Sequence, residues 1–313
     1  MFVKAGFAAI FAAVAVTSSL LGTSLACQDP VTSFSGRRTI RGNGGDGTLL
    51  RDQHSSADNA DKVWYLPTTT GNTIEEYRTM DDFVAGNVLT TYRLPGSGGS
   101  GGMAWWGQGH VVYNNALYYQ RFPDCLSYNY DCTSNEKAQI VKYDFNLRAF
   151  VALQSLPTAQ LSHWAAGPSY VYLAVDAGSV WAIGRNNGVY QLTKLNANDL
   201  SIEETIDTEF ADPSANVNMP PFIACGKFYS TRYDRPGQFS PIGSRTILIL
   251  DLTTKQKDTS TQAWYCLPLE GRRYFSINSR ENKVYTVESN ALVSYDVTLG
   301  GSYLTDPSML CAA

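Results

Sequence analysis

Six cysteines carry the most definite chemistry in this sequence. They are Cys27, Cys125, Cys132, Cys225, Cys266 and Cys311. An even number of cysteines in an exported chain indicates a disulfide framework, although the sequence alone does not choose among the pairings. The spacing between Cys125 and Cys132 suits a local disulfide within one loop. It would also suit half of a metal site, but no histidine or second close cysteine pair accompanies it, so a disulfide is the better interpretation.

Acidic residues and histidines are the other candidates for chemistry, because paired carboxylates or a histidine base can serve a hydrolase. The acidic residues that recur at similar places in the chain are Asp144, Asp176, Asp251, Glu288 and Asp296. An Asp or Asn after an apolar residue favours a turn or capping role instead. The residues predicted to start turns are Asp144, Asn196, Asp251 and Asp296. The histidines, His54, His110 and His163, are scattered, and no His-Glu-x-x-His motif is present, so these residues do not predict an enzyme.

The first 26 residues are typical of a signal peptide. Lys4 precedes an apolar run, and Ser24 and Ala26 flank Leu25 in the small-x-small pattern of a cleavage site. A retained signal anchor is the alternative, but the run is short for a membrane span, and no later stretch is apolar enough to be one. Cleavage would leave residues 27–313 with 23 cations against 28 carboxylates, a formal charge of −5. That balance argues against nucleic acid as a partner.

Two short motifs alternate along the chain and predict a repeated fold. The first, an aliphatic residue or Phe followed by an aromatic residue, occurs at Val63-Trp64, Leu117-Tyr118, Val180-Trp181, Phe228-Tyr229 and Val284-Tyr285. The second is an apolar residue that in most copies is followed by Asp or Asn. It occurs once after each first motif, at Tyr77, Tyr143, Leu195, Leu250 and Tyr295. Successive first motifs lie 48 to 63 residues apart, the period of a four-stranded propeller blade with long loops. Chance recurrence in a β-rich chain is the alternative, and the strict alternation argues against it.

Residues 27–313 are therefore predicted to form one all-β domain, a five-bladed β-propeller. A terminal strand that completes the last blade would leave no unpaired sheet edge in the ring, so we expect the N-terminal segment after Cys27 to close it. Within the second blade, the segment "GHVVYNNALYY" (residues 109–119) predicts a hairpin. Its turn would be Asn114-Asn115, because asparagine tolerates the left-handed backbone that a tight turn needs.

The order of six segments along the chain resembles the olfactomedin domain. They are "GHVVYNNALYY", "QIVKYDFNLRAFVALQSLP", "YLAVDAGSVWAIG", "LTKLNANDLSIEETIDT", "FIACGKFYS" and "NKVYTVESNALVSYDV". The upstream segments "GTLLRDQHSSADNADKVWYLP" and "NTIEEYRTMDDF" fit its first blade, so the resemblance covers nearly all of the predicted mature chain. It implies a five-bladed propeller, an extracellular location, and roles in adhesion, matrix assembly and receptor recognition.

The resemblance also implies a disulfide between a cysteine at the start of the domain and the cysteine of the "CG" motif. By position these are Cys27 and Cys225. Such a bond would leave Cys125 to pair with Cys132, and Cys266 with Cys311. The last pair has an open alternative, since Cys311 near the C-terminus could link two chains.

Many olfactomedin domains hold a calcium ion in the central channel, and here the sequence departs from the family. The positions of the family's ligands are occupied by Tyr172, Pro220 and Glu288. Calcium prefers several carboxylate or carbonyl oxygens, and Pro offers only that of its main chain. We therefore predict no central calcium site of the family type, and no other cofactor.

Together these features predict a secreted protein-interaction module of olfactomedin type that is not an enzyme. It would act in cell adhesion, matrix assembly or receptor binding, with an extracellular protein or receptor ectodomain as partner. A carbohydrate-binding propeller is the main alternative, in which Trp105, Trp106 and Trp164 would stack on a glycan, although an inter-blade core is the commoner role for such a Trp pair. A propeller hydrolase is a weaker alternative. The sequence does not predict the oligomeric state.

Overall fold

The computed structural model describes residues 30–42, 47–54, 59–95, 102–121, 138–156, 171–186, 188–211, 220–234, 243–261, 264–265, 275–288 and 290–300. Nearly all of its regular structure is β-strand. Within these ranges α1 (Met80–Ala85) is the only helix, and none is long and apolar enough to cross a membrane. Thr79 caps α1 by accepting the Asp82 N–H at 3.1 Å, and Gly86 ends it at φ +77°, a conformation that glycine adopts at no steric cost.

The strands form five small sheets, each a blade. The first strand of the chain is β1 (Val31–Arg41). Blade I consists of β2 (Thr48–Arg51), β3 (Val63–Leu66), β5 (Thr73–Tyr77) and β6 (Thr90–Arg93). Between blades I and II, β4 (Thr70–Gly71) pairs with β7 (Trp105–Trp106). Blade II consists of β8 (Val111–Tyr113), β9 (Ala116–Arg121), β10 (Gln139–Asp144) and β11 (Ala149–Ser155).

Blades III to V repeat this antiparallel order. Blade III consists of β12 (Tyr172–Asp176), β13 (Ser179–Asn186), β14 (Val189–Leu195) and β15 (Ile202–Ala211). Blade IV consists of β16 (Phe222–Ala224), β17 (Lys227–Asp234), β18 (Gly243–Asp251) and β19 (Lys257–Asp258), with β20 (Trp264–Tyr265) also on β18. Blade V consists of β21 (Phe275–Asn278), β22 (Lys283–Glu288), β23 (Ala291–Leu299) and β1.

The first strand of each blade lies at the inside of the ring. β2, β8, β12, β16 and β21 follow one another around the centre, and blade V returns to blade I where β22 contacts β2. Apolar side chains fill the spaces between neighbouring blades, as where Trp64 of blade I stacks on Phe145 of blade II with ring centroids 5.2 Å apart. This arrangement is the predicted five-bladed β-propeller.

β1 completes blade V and so closes the ring. It pairs antiparallel with β23, starting with Val31 opposite Leu299. Gly36 lies at an irregularity in β1 with φ +62°, and a Cβ at that position would stand 2.5 Å from a carboxylate oxygen of Asp296. Closure by the N-terminal segment is therefore confirmed.

The two sequence motifs fall at equivalent places in all five blades. The first motif lies in the second strand of each blade, and the second lies in the third strand. Their residues are direct cross-strand partners, namely Val63 with Tyr77, Leu117 with Tyr143, Val180 with Leu195, Phe228 with Leu250, and Val284 with Tyr295. The motifs recur together because each pair forms the buried centre of its blade.

Most of the predicted turns also form. Asn114 and Asn115 have φ of +49° and +56° and connect β8 to β9, as the hairpin prediction requires. The side chains of Asp144, Asn196 and Asp251 each accept a main-chain N–H two or three residues further on. The prediction was wrong for Asp296, which lies inside β23 and contacts Lys283 at 2.5 Å. No turn follows Asp296 because β23 continues in order to pair with β1.

Candidate functional site

In every blade one residue stands at the end of the inner strand, just before the connection to the second strand. In blades I to V this residue is Asp52, Tyr113, Asp176, Ala224 and Asn278, respectively. Two of the five are carboxylates, and each accepts N–H groups from the first turn of the following blade. We call these two contacts joint I–II, made by Asp52, and joint III–IV, made by Asp176.

Joint I–II is closed. Asp52 has no exposed surface, and one of its carboxylate oxygens accepts the N–H groups of His54 and Asn114, both at 2.9 Å. The other oxygen accepts the Asn115 N–H at 2.7 Å. Burial raises the pKa of Asp52, and the three N–H groups oppose that rise by favouring the carboxylate. The main chain of Asp52 also bridges to Val112, so the two inner strands are held side by side.

Joint III–IV uses the same kind of contact, but the carboxylate accepts fewer hydrogen bonds and they are longer. The Gly226 N–H lies 3.1 and 3.2 Å from the two carboxylate oxygens of Asp176, and the Cys225 N–H also donates to this carboxylate. Cys225 and Gly226 have φ of +54° and +71°, so their turn is left-handed, like that of Asn114 and Asn115. Burial raises the pKa of Asp176, which is 9% exposed. A third N–H donor, such as His54 provides for Asp52, does not reach Asp176 from the described residues.

A cleft of about 470 Å³ opens beside Asp176 at joint III–IV. Blade III contributes to its lining Asp176, Ser179, Trp181, Lys194 and Glu204. Blade IV contributes the turn Cys225-Gly226 together with Lys227, Asp251 and Thr253. Trp181, Lys194 and Glu204 lie opposite one another on adjacent strands, so they form one row across the face of blade III.

Ion pairs hold most of the charged groups of the cleft. Lys227 contacts Asp251 at 2.9 Å within blade IV. The Thr254 N–H and the Lys227 ammonium together hold the pKa of Asp251 well below its usual range. Glu204 of blade III contacts Lys255 of blade IV at 2.8 Å and so spans the joint.

The residues at the family's calcium positions are engaged in other contacts. Tyr172 is buried at the start of β12, where a Cβ on Gly109 would lie only 2.6 Å from its ring. The carboxylate of Glu288 accepts hydrogen bonds from the Arg37 guanidinium at 2.9 Å and from the Tyr295 hydroxyl at 2.5 Å. Pro220 is buried just before β16 and offers only its carbonyl oxygen.

This set does not fit calcium, which takes six to eight oxygen ligands, because its single carboxylate already pairs with an arginine. The part of the chain that the structure describes contains no group of three His, Cys, Asp or Glu residues suited to a metal ion. The absence of a calcium site of the family type stays a prediction.

The cysteines are mostly outside the described residues. Cys225 is described, and it is disulfide-bonded and 3% exposed. The positions outside the described ranges are Cys27, Cys125, Cys132, Cys266 and Cys311. The pairings therefore stay predictions. Because its sulfur is bonded, Cys225 supplies no nucleophile to the cleft that it lines.

The histidines and tryptophans singled out in the sequence do not form a site together. His110 is buried, and its Nε2–H donates a hydrogen bond to the Gly107 carbonyl oxygen at 3.0 Å. Burial lowers the pKa of His110 to about 4, so the ring is neutral. Trp105 and Trp106 are only 1% and 7% exposed, so neither indole offers the open face that stacking on a glycan requires. His163 and Trp164 lie outside the described residues.

The sequence interpretation missed Asp52 and the cleft. It named Asp176 among the acidic residues that could form a carboxylate pair, but it preferred a turn or capping role. Asp52 follows the strand "TLLR" and begins no recognisable motif. Aligning the ends of the five inner strands would have placed Asp52 and Asp176 at equivalent positions, which is the one signal available for them.

Two comparisons relate the chain to known proteins. The crystal structure of Myxococcus xanthus glutaminyl cyclase is similar with a TM-score of 0.43 and 9% sequence identity, over 87% of this chain and 100% of that chain. A similarity of this size carries no argument about activity. The olfactomedin-like domain matches residues 23–302, which is nearly the whole sequence. The chain therefore belongs to the olfactomedin-like domain family.

Proposed function

We propose that this protein is a secreted, extracellular interaction module that binds a protein partner through the cleft at joint III–IV. Its family and its propeller fold support a protein-interaction role in general. The finer role is cell adhesion, matrix assembly or receptor binding, with a receptor ectodomain or another extracellular protein as partner. The observation that carries the proposal is the cleft of about 470 Å³ between two blades, which is lined by side chains of both signs of charge.

The lining of the cleft suits binding better than chemistry. No histidine is among the described residues that line it, and Cys225 is disulfide-bonded. The Ser179 hydroxyl therefore has no imidazole base beside it. We therefore propose that the protein is not an enzyme.

Secretion is tested by expressing the full sequence in a secreting host and recovering the protein from the medium. Cleavage of the predicted signal peptide would give a mature chain that begins at Cys27, and intact-mass measurement would show it. Recovery of the uncut chain from the membrane fraction would instead indicate a signal anchor.

The binding site is tested by capture from native extracellular material with a matched pair of variants. Thr253 is exposed at the rim of the cleft, so Thr253→Trp would fill the opening with an indole. Thr91 is also exposed, on β6 of blade I and away from the cleft between blades III and IV, and Thr91→Trp serves as the control. We expect one defined protein to be recovered by the wild type and the control and lost with Thr253→Trp. Equal recovery by all three, or turnover of a glycan or ester by the purified protein, would overturn the proposal.

A further inference from the structure

We infer that the cleft at joint III–IV binds a basic side chain of the protein partner, with its ammonium or guanidinium group beside Asp176. This inference rests on the proposed function and names the chemistry by which the partner is recognised. It follows from the charges of the cleft and from the contrast with joint I–II.

The charges of the cleft leave one carboxylate without a cation. Of the three lining carboxylates, Asp251 pairs with Lys227 and Glu204 pairs with Lys255. The second lining cation, Lys194, is held by Glu203 at 3.0 Å. Asp176 forms no ion pair with any of the described residues, although it is nine-tenths buried. Burial of a carboxylate costs free energy unless a cation pairs with it. Asp176 is therefore the lining carboxylate that would gain most from a cation supplied by a ligand.

Asp176 also retains capacity to accept hydrogen bonds. A carboxylate has about four lone-pair sites, and the described donors to Asp176 are the N–H groups of Cys225 and Gly226. Asp52 at joint I–II has the same two turn donors and a third from His54, and it has no exposed surface. The difference between the two joints is therefore an acceptor that faces an open cleft.

The two lysines that line the cleft are already paired with carboxylates. Lys227 contacts Asp251 and Lys194 contacts Glu203. The lining carries three carboxylates against these two lysines, so the balance of charge favours a cationic ligand over an anionic one.

The test uses small probes in place of the unidentified partner. N-acetyl-lysine amide and N-acetyl-arginine amide carry the proposed cation, and N-acetyl-norleucine amide is the neutral match for the lysine stem. Binding to the full mature protein is followed by NMR at low salt, where we expect a dissociation constant on the order of millimolar for the two cations. The neutral probe is expected to bind at least about tenfold more weakly.

Three variants test whether the probes bind at Asp176. Asp176→Asn removes the charge but keeps an oxygen for the turn N–H groups, and we expect it to weaken the lysine probe about tenfold. Asp52→Asn makes the same change at the closed joint and should leave binding unaltered. Thr253→Trp, which leaves the carboxylate in place, should abolish binding. If Asp176→Asn does not fold, Thr253→Trp with the same three probes decides the question.

The possible outcomes separate this inference from the proposed function. Unchanged binding to Asp176→Asn, or equal binding of the lysine and norleucine probes, overturns the inference. If capture of the protein partner still depends on Thr253 in that case, the proposed binding site stands without the basic side chain. If the probes bind as expected but capture is unaffected by Thr253→Trp, the cleft takes a cation and the proposed partner site is wrong.

Discussion

Joints I–II and III–IV use the same contact, yet one is sealed and the other is open. The difference lies in the length of the connection that follows the carboxylate. After Asp176 only Ala177 and Gly178 separate β12 from β13, so nothing in the described residues of that turn extends over the joint. After Asp52 the chain runs to Lys62 before β3 begins, and His54 in this connection supplies the third N–H. A short turn thus leaves room for a ligand where a longer one covers the carboxylate.

The largest expected effect tests how much the closed joint stabilises the fold. Asp52→Ala removes the acceptor of three buried N–H groups, so we expect it to lower the free energy of unfolding by about 3 kcal/mol. Asp176→Ala should cost about half as much, because water can enter the cleft and solvate the exposed donors. Urea unfolding at neutral pH measures both. Equal costs would contradict the view that the two joints differ.

The next effect concerns His110, which precedes β8, the inner strand held by Asp52. Its pKa is lowered from 6.5 to about 4 by burial, so the folded protein binds a proton less readily than the unfolded chain. The stability that this histidine contributes is complete above pH 6.5 and is lost as the pH falls towards 4, by about 3 kcal/mol.

The measurement for His110 compares the pH dependence of unfolding in the wild type and His110→Gln. The difference between the two proteins isolates the histidine from the carboxylates that titrate in the same range. We expect the wild type to lose stability more steeply than the variant between pH 6.5 and 4. Parallel curves would show that the pKa of His110 is not lowered in the folded protein.

A smaller effect is expected when the open joint loses only its charge. Asp176→Asn should change the free energy of unfolding at pH 7 by about 1 kcal/mol or less, because the amide oxygen still accepts an N–H. Burial raises the pKa of Asp176 above 3.8, so the wild type is penalised relative to the variant as the pH rises through and above that value. Unfolding at pH 3 and pH 7 measures the trend. A wild type that gains on the variant as the pH rises would contradict the raised pKa.

The smallest effect is expected at the outer edge of joint III–IV. Lys255 and Glu204 are each 39% exposed, so their ion pair is well solvated. We expect Lys255→Met to cost no more than about 0.5 kcal/mol at low salt, and less at high salt where the charges are screened. The same variant leaves Glu204 without its cation and should tighten binding of the lysine probe slightly. Weaker binding would place the probe away from this edge.

The repeating part of the fold was predictable from the sequence because burial constrains residue type. Val63 and Tyr77, for example, are cross-strand partners at the buried centre of blade I, and all five blades need apolar residues there. Ring closure by β1 followed from the need to cover an open sheet edge. The error at Asp296 has the same origin, since a strand that pairs with β1 has no turn at the place where the other blades have one.

The joints could not be predicted in the same way. Asp52 and Asp176 bind main-chain N–H groups, which every residue except proline possesses. The contact therefore places almost no constraint on the residue types of their partners. The turn at joint I–II is Asn114-Asn115 and the turn at joint III–IV is Cys225-Gly226, two sequences with no residue in common. The cleft depends on the difference in length between two connections, and such a difference becomes meaningful only when the inner strands are aligned in space.

The pairing of β1 with β23 also affects when the protein can finish folding. Val31 and Leu299 lie at opposite ends of the described chain, so blade V stays incomplete until β23 has been synthesised and has left the ribosome. Contacts between such distant residues form slowly, because a long loop must close first. An unfinished ring presents the edge of β23 and the apolar surfaces of blade V to other chains, so the last step of folding is also the step most exposed to aggregation.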